Sequence, residues 1–129
     1  MKFEMQGLFC ELDIGDSDLD GWRRVKVSVN VPEISVSFFC TIQSIDFADL
    51  RDKLIDMHNG KTSQLEWGNL EENIFLSLEQ DHLGSIVGTY KFSSNVISVG
   101  PTLSGPFSAD QSYVYDWVTQ LNAEVGFGS

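Results

Sequence analysis

Residues 23–42 read RRVKVSVNVPEISVSFFCTI, and this stretch decides the fold class. Apolar and polar residues alternate on both sides of Pro32-Glu33, which is the period-two pattern of half-buried strands. The apolar positions are Val25, Val27, Val29 and Val31 before the turn, and Ile34, Val36, Phe38, Cys40 and Ile42 after it. Two such runs separated by a short turn predict an antiparallel hairpin.

The same alternation recurs along the rest of the chain. It predicts further strands at residues 3–14, 65–67, 73–80, 86–92 and 96–99. The segment Asp81-His82-Leu83-Gly84 has the composition of a tight turn, so the strands on either side of it are expected to form a second hairpin. Residues 15–21 are mostly polar and carry a glycine at each end, which indicates a loop.

Two segments have the apolar spacing of an amphipathic helix. Ser44 is a suitable N-cap and Asn59-Gly60 a stop, which predicts a helix at residues 45–58. Ser108-Ala109-Asp110-Gln111 has the form of a capping box, which predicts a second helix at residues 109–125. The apolar stripes are Phe47, Leu50, Leu54 and Met57 in the first helix, and Val114, Trp117, Val118, Leu121 and Val125 in the second.

These elements predict an α+β fold. Strands joined by hairpin turns form an antiparallel sheet, and two amphipathic helices must bury their apolar stripes against it. A chain of 129 residues fits one hydrophobic core, and neither a linker nor an internal repeat divides it. We therefore expect a single two-layer domain over residues 1–129, mainly antiparallel sheet with two helices.

The charge balance restricts the class of partner. Eight Lys and Arg residues against nineteen Asp and Glu residues give a formal net charge of −11. Such a chain repels nucleic-acid phosphates and anionic membrane surfaces, and it attracts a basic protein. The simpler alternative is that the acidic charge only keeps the protein soluble.

The sequence predicts a cytoplasmic location. The segment Met1-Lys2-Phe3-Glu4 does not lead into the apolar core of a signal peptide, and no stretch is long enough to cross a bilayer. Cys10 and Cys40 both fall in strand-like alternation, so reduced, buried thiols are expected, with a bridge between them as the alternative.

No motif for catalysis or for a cofactor is present. The sharpest pattern, Asp16-Ser17-Asp18-Leu19-Asp20-Gly21, matches the start of a calcium loop, but Val27 stands where the bidentate Glu should be. An acidic hairpin loop is therefore expected, with weak calcium binding as the alternative. His58 near a helix end and His82 in a turn both have structural explanations, so we predict no catalytic residue, no metal site and no cofactor.

Three stretches carry a resemblance to a known family. They are Phe38-Phe39-Cys40-Thr41 leading into Asp46-Phe47, Leu70-Glu71-Glu72-Asn73-Ile74-Phe75-Leu76-Ser77-Leu78 followed by Asp81, and Phe107-Ser108-Ala109-Asp110-Gln111-Ser112-Tyr113. With them the chain resembles the WapI-type bacterial immunity proteins over about residues 3–125. The resemblance implies a cytoplasmic, non-catalytic protein that binds and neutralises a cognate secreted toxin, often a nuclease domain.

Local charge density suggests where such a partner would bind. An acidic protein can occupy the basic cleft of a nuclease as an electrostatic mimic of its substrate. The residues expected to contact the partner are Asp16, Asp18, Asp20, Trp22, Glu71 and Glu72. The alternative function is a protein-interaction or assembly module without inhibitory activity, and the sequence leaves the oligomeric state open.

Overall fold

The computed structural model describes residues 1–94 and 101–126. They form eight strands and two helices, in the order β1 (Lys2–Met5), β2 (Leu8–Ser17), β3 (Trp22–Val31), β4 (Ile34–Gln43), α1 (Ser44–His58), β5 (Gln64–Gly68), β6 (Ile74–Gln80), β7 (Ser85–Ser93), β8 (Thr102–Asp110) and α2 (Ser112–Val125). The α+β class with a mainly antiparallel sheet and two helices is thereby confirmed. The strand predicted at residues 96–99 lies outside the described residues.

The strands divide into two antiparallel sheets of four, with the orders β1-β2-β3-β4 and β5-β6-β7-β8. The hairpin read from residues 23–42 is confirmed, with Val27 opposite Phe38 and Val25 opposite Cys40. The second predicted hairpin is also confirmed, since β6 pairs with β7 around the turn at residues 81–84. The alternation of apolar and polar residues predicts which face of a strand is buried, but it does not predict to which of the two sheets a strand belongs.

The first predicted strand, residues 3–14, proves to be the hairpin of β1 and β2. Gly7, with a φ of 92°, makes the turn between them, in a left-handed conformation that glycine adopts without strain. Beside it, Gln6 and Ser108 exchange two backbone hydrogen bonds of 3.0 Å, which join the β1 edge of the first sheet to the β8 edge of the second. The two sheets are therefore connected on one side by a short antiparallel bridge.

The predicted capping box at Ser108 is wrong. Residues 102–110 form β8, in which Ala109 pairs with Ile86 of β7, and α2 begins only at Ser112. The N-cap of α2 is Gln111, whose side chain does not cap the helix, and the amide of Ser112 donates to Asp110 Oδ1 at 2.8 Å. Strand pairing thus outweighs the local helix signal. Gly105 and Pro106 argued against a strand here, yet β8 is an edge strand, and an edge strand tolerates proline.

The prediction of α1 is nearly correct in its limits and wrong in its cap. Ser44 is the first helical residue rather than the N-cap, which is Gln43. The Ser44 hydroxyl accepts a hydrogen bond of 2.9 Å from Arg23 Nε and does not cap the helix. At the other end, the ring of His58 lies 5.5 Å from that of Tyr115, near the start of α2, so the two helices run antiparallel.

The core lies between the two sheets and the two helices. Its buried side chains form one cluster that includes Phe3 and Val27 from the first sheet, Leu76 from the second, Leu50 from α1 and Trp117 from α2. Each fully buried side chain of this size contributes about 1.5–3 kcal/mol. Both helical stripes predicted from the sequence are buried as expected. The two helices therefore share one hydrophobic core with both sheets.

Candidate protein-interaction site

The start of α1 is hydrogen-bonded to two loops that are distant in sequence. The amide of Ser44 donates to the carbonyl of Gly21, in the β2–β3 turn, at 2.8 Å. The amide of Leu70, in the β5–β6 loop, donates to Asp46 Oδ2 at 3.0 Å. The two groups of residues predicted to bind a partner, 16–22 and 71–72, are thereby brought to one end of the molecule. We call residues 16–22, 44–46 and 69–73 the acidic end.

The β2–β3 turn is organised by one carboxylate. Asp18 Oδ1 accepts the amide hydrogens of Asp20 and Trp22, both at 2.9 Å, which is the hydrogen bonding of an Asx turn. Asp18 is therefore engaged in the turn, whereas Asp16 and Asp20 are exposed and Trp22 is half-buried. Among the described residues, no group of three His, Cys, Asp or Glu side chains is arranged to hold a metal ion.

The β5–β6 loop is held by a buried pair of asparagines. Asn69 and Asn73 are the buried polar residues of the described chain, at 4% and 2% exposure. Asn69 Oδ1 accepts the amides of Asn73 and Ile74 at 2.9 Å each, and its Nδ2 donates to Asn73 Oδ1 at 3.2 Å. Asn73 Nδ2 in turn donates to the carbonyl of Ser93 at 3.0 Å. The hydrogen bonds of the two buried asparagines therefore hold the loop in place.

The residues between the two asparagines differ in their exposure to solvent. Leu70 and Glu72 are exposed, and Glu71 is half-buried. Glu72 has a φ of 59°, a left-handed conformation that few residues other than glycine or asparagine adopt. Glu71 and Glu72, the two predicted contact residues of this loop, thus lie on a backbone whose conformation is held by hydrogen bonds.

Arg23 connects the acidic end to the rest of the fold. Its guanidinium donates to the carbonyl of Gly15 at 3.0 Å, to Ser44 Oγ at 2.9 Å and to the carbonyl of Val125 at 3.0 Å. These three acceptors lie in β2, at the start of α1 and at the end of α2. Sequence reasoning missed this residue. The signal was present, because Arg23 shares the face of β3 that carries Val25.

Exposed apolar side chains lie among the acidic residues. Leu19, Ile45 and Leu70 are 105%, 70% and 65% exposed, one from each segment of the acidic end. The neighbouring carboxylates are Asp16, Asp20, Asp46, Glu71 and Glu72, and within the described residues none of them forms an ion pair. The sequence did not reveal this apolar component, because exposure depends on the tertiary arrangement. The result is a surface that combines apolar groups with carboxylates that form no ion pair among the described residues, while Arg23 and Arg24 lie beside it on β3.

Neither cysteine is activated as a nucleophile. A cavity of about 360 Å³ beside Glu71 is lined by Cys40, Arg24 and Phe39 but by no imidazole. Burial raises the pKa of the Cys40 thiol to about 11 and that of Cys10 to about 12, so both are protonated at neutral pH. Neither cysteine forms a disulfide. Both thiols therefore act as small apolar groups.

Neither α1 nor α2 combines the length and the apolar content that a helix needs to span a bilayer. The α+β frame presents exposed carboxylates at one end, on loops that are hydrogen-bonded to the start of α1. The sequence model of the Immunity protein WapI-like family matches residues 4–126, and the chain belongs to that family. No curated protein matches the chain. Immunity proteins are in general not enzymes, and the family suggests a role in toxin immunity.

Proposed function

We propose that the protein is a non-catalytic, cytoplasmic immunity protein that neutralises a cognate bacterial toxin by binding it through the acidic end. The observation that carries this proposal is the joining of two acidic loops by hydrogen bonds to the start of α1. Family membership supplies the class of partner, a toxin. The geometry supplies a surface on which the charge is concentrated.

The charge of this surface supports a basic partner. The four carboxylates are those of Asp16 at the end of β2, Asp20 in the β2–β3 turn, and Glu71 and Glu72 in the β5–β6 loop. Complementary charge accelerates association and rejects partners of the same sign. A nuclease domain is a fitting target, since its cleft must attract phosphates and is commonly basic. The net charge of −11 also attracts a basic partner, and it does so over a longer distance than the local carboxylates.

The proposal is tested first by inhibition. Capture on the tagged protein at low salt identifies the toxin domain, and co-expression then measures whether the protein restores growth. Restored growth together with loss of toxin activity in a purified mixture is the expected result. A partner that is bound without any loss of its activity would instead favour an interaction or assembly module.

The role of the acids is tested with a matched pair of variants. The first replaces Asp16, Asp20, Glu71 and Glu72 by the corresponding amides; it spares Asp18, whose carboxylate organises the turn. The control makes the same change in charge at exposed acids elsewhere, namely Glu33, Asp56, Glu66 and Glu79.

The measured quantity is the association rate with the toxin at several salt concentrations. The first variant should associate at least about tenfold more slowly and with a flatter salt dependence, because rim charges act mainly on the association rate. The control should lose much less. Equal effects of the two variants would mean that only the total charge matters, and this would remove the two loops from the interface.

A further inference from the structure

The acidic end exposes apolar side chains that its acidic character does not explain. Ile45 is 70% exposed although it lies in the first turn of α1, two residues before the fully buried Phe47. Leu70 is 65% exposed, next to the buried Asn69. Placing large apolar side chains in water costs free energy that burial by a partner returns. Exposure of Ile45 and Leu70 is therefore unfavourable in the free protein and would be relieved in a complex that buries them.

The two side chains lie on segments that contact each other. The Leu70 amide is bound to Asp46, the residue that follows Ile45, and the Trp67 indole Nε1 donates to the Asp46 carbonyl at 2.7 Å. The loop around Leu70 is also fixed by Asn69 and Asn73. A backbone held in this way has little conformational freedom left to lose when a partner covers its side chains. The binding energy gained by burying these side chains is therefore not offset by a large cost of ordering the backbone.

The surrounding charge identifies the kind of partner. The carboxylates of Asp16, Asp20, Glu71 and Glu72 lie in the same acidic end and lack ion-pair partners among the described residues. A second copy of the chain, docked by the same surface about a two-fold axis, would bring these acids against each other. Anionic lipid and nucleic acid are repelled for the same reason. A protein with an apolar patch ringed by Lys and Arg meets both requirements.

We infer that Ile45 and Leu70 form the energetic centre of the toxin interface, covered by an apolar patch of a basic toxin domain, with the acids of the two loops as its charged rim. This inference rests on the proposed function and adds to it the residues that hold the complex together. Interface energy is concentrated in a few desolvated side chains at the centre, whereas rim charges mainly set the association rate. The centre and the rim therefore predict different kinetic effects.

The test compares two double variants in the full-length protein. Ile45→Ala with Leu70→Ala removes the proposed centre. Leu83→Ala with Val87→Ala removes two side chains of similar exposure, 77% and 59%, in the β6–β7 hairpin. All four positions are exposed, so both variants should fold, and an unchanged urea midpoint checks this. The probe is the toxin domain identified by capture, and dissociation rate and Kd are measured.

We expect the Ile45/Leu70 variant to raise Kd by about 100-fold or more, mainly through faster dissociation. The Leu83/Val87 variant should stay within about twofold of the wild type, and Leu70→Met, which keeps the apolar volume, should retain most of the affinity. An Ile45/Leu70 variant that binds within about threefold of the wild type would overturn the inference.

That result would leave the proposed function intact as long as the wild type still inhibits the toxin. Failure of the wild type to inhibit any captured toxin would reject the proposed function itself. Sedimentation of the wild type as a dimer that Leu70→Ala dissociates would show that the occupant of this surface is a second copy, which also contradicts the inference.

Discussion

Replacing Arg23 by alanine should destabilise the protein far more than an ordinary surface substitution. The guanidinium of Arg23 donates three hydrogen bonds of 2.9–3.0 Å to acceptors in β2, α1 and α2. At about 1 kcal/mol for each bond, the loss amounts to about 3 kcal/mol. Since domains of this size are stable by only about 5–15 kcal/mol, that loss is a large part of the total.

Lysine should not rescue the position. Its ammonium group is a single point charge, whereas the guanidinium reaches separate acceptors through a planar fork. We therefore expect Arg23→Lys to recover no more than about one of the three bonds and to remain about 2 kcal/mol less stable than the wild type. The consequence extends to the acidic end, because the bond to Ser44 Oγ helps to hold the start of α1.

The matched control is Arg24→Ala, which makes the same change in charge one residue away. Arg24 is exposed on the other face of β3, where its guanidinium carbon lies 4.5 Å from the centroid of the Phe39 ring. A contact of this kind at an exposed site contributes about 0.5–1 kcal/mol. Urea unfolding followed by circular dichroism gives the free energy of unfolding of each variant. Equal losses for Arg23→Ala and Arg24→Ala would refute the role assigned to Arg23.

Three further predictions concern Gly88 and the two thiols. Gly88→Ala should cost about 3 kcal/mol, because a Cβ at this position would lie 2.4 Å from the Ser77 carbonyl oxygen and 2.5 Å from Phe107 Cζ. Calorimetry should show a larger loss than for Gly60→Ala, where a Cβ meets nothing within 4 Å and only the positive φ of 76° opposes the substitution. The buried thiol of Cys10 should react with Ellman's reagent at pH 8 much faster in denatured than in native protein, and the half-buried thiol of Cys40 should show a smaller difference. Folding raises the pKa of Cys10 to about 12 and that of Cys40 to about 11, so the protonated thiols stabilise the folded state. This contribution to the free energy of unfolding is complete below about pH 9 and is lost as pH rises towards 11–12. A double Cys→Ala variant should therefore lose less stability than the wild type over that pH range.

The sequence predicted well wherever one face of an element is buried. Strict alternation in residues 23–42 and the stripes of both helices follow directly from burial of one face, and these elements are present. The failures have a common cause. Gly105 and Pro106 conceal β8, which exists because it pairs with β7 and because Gly105 leaves room for the ring of Tyr90. Pairing partners are a tertiary property that local pattern does not contain.

The candidate site was predictable only in part. Charge density pointed to residues 16–22 and 71–72, but their approach to one end depends on hydrogen bonds to Ser44 and Asp46 that link segments more than twenty residues apart. Leu70 could not be distinguished in the sequence from a core residue of the same type, whereas Ile45 falls outside the predicted apolar stripe of α1. Composition therefore indicates the sign of the partner's charge, whereas the three-dimensional arrangement indicates the residues that it would touch.

The buried pair of Asn69 and Asn73 has a consequence for how such a protein can change. Because these two side chains and the backbone carry the loop, the residues at its tip contribute little to the stability of the fold. Leu70 and Glu71 can be exchanged for other residues at small mutational cost, while Glu72 is limited by its φ of 59°. A new specificity could thus arise at the tip without a compensating change in the core.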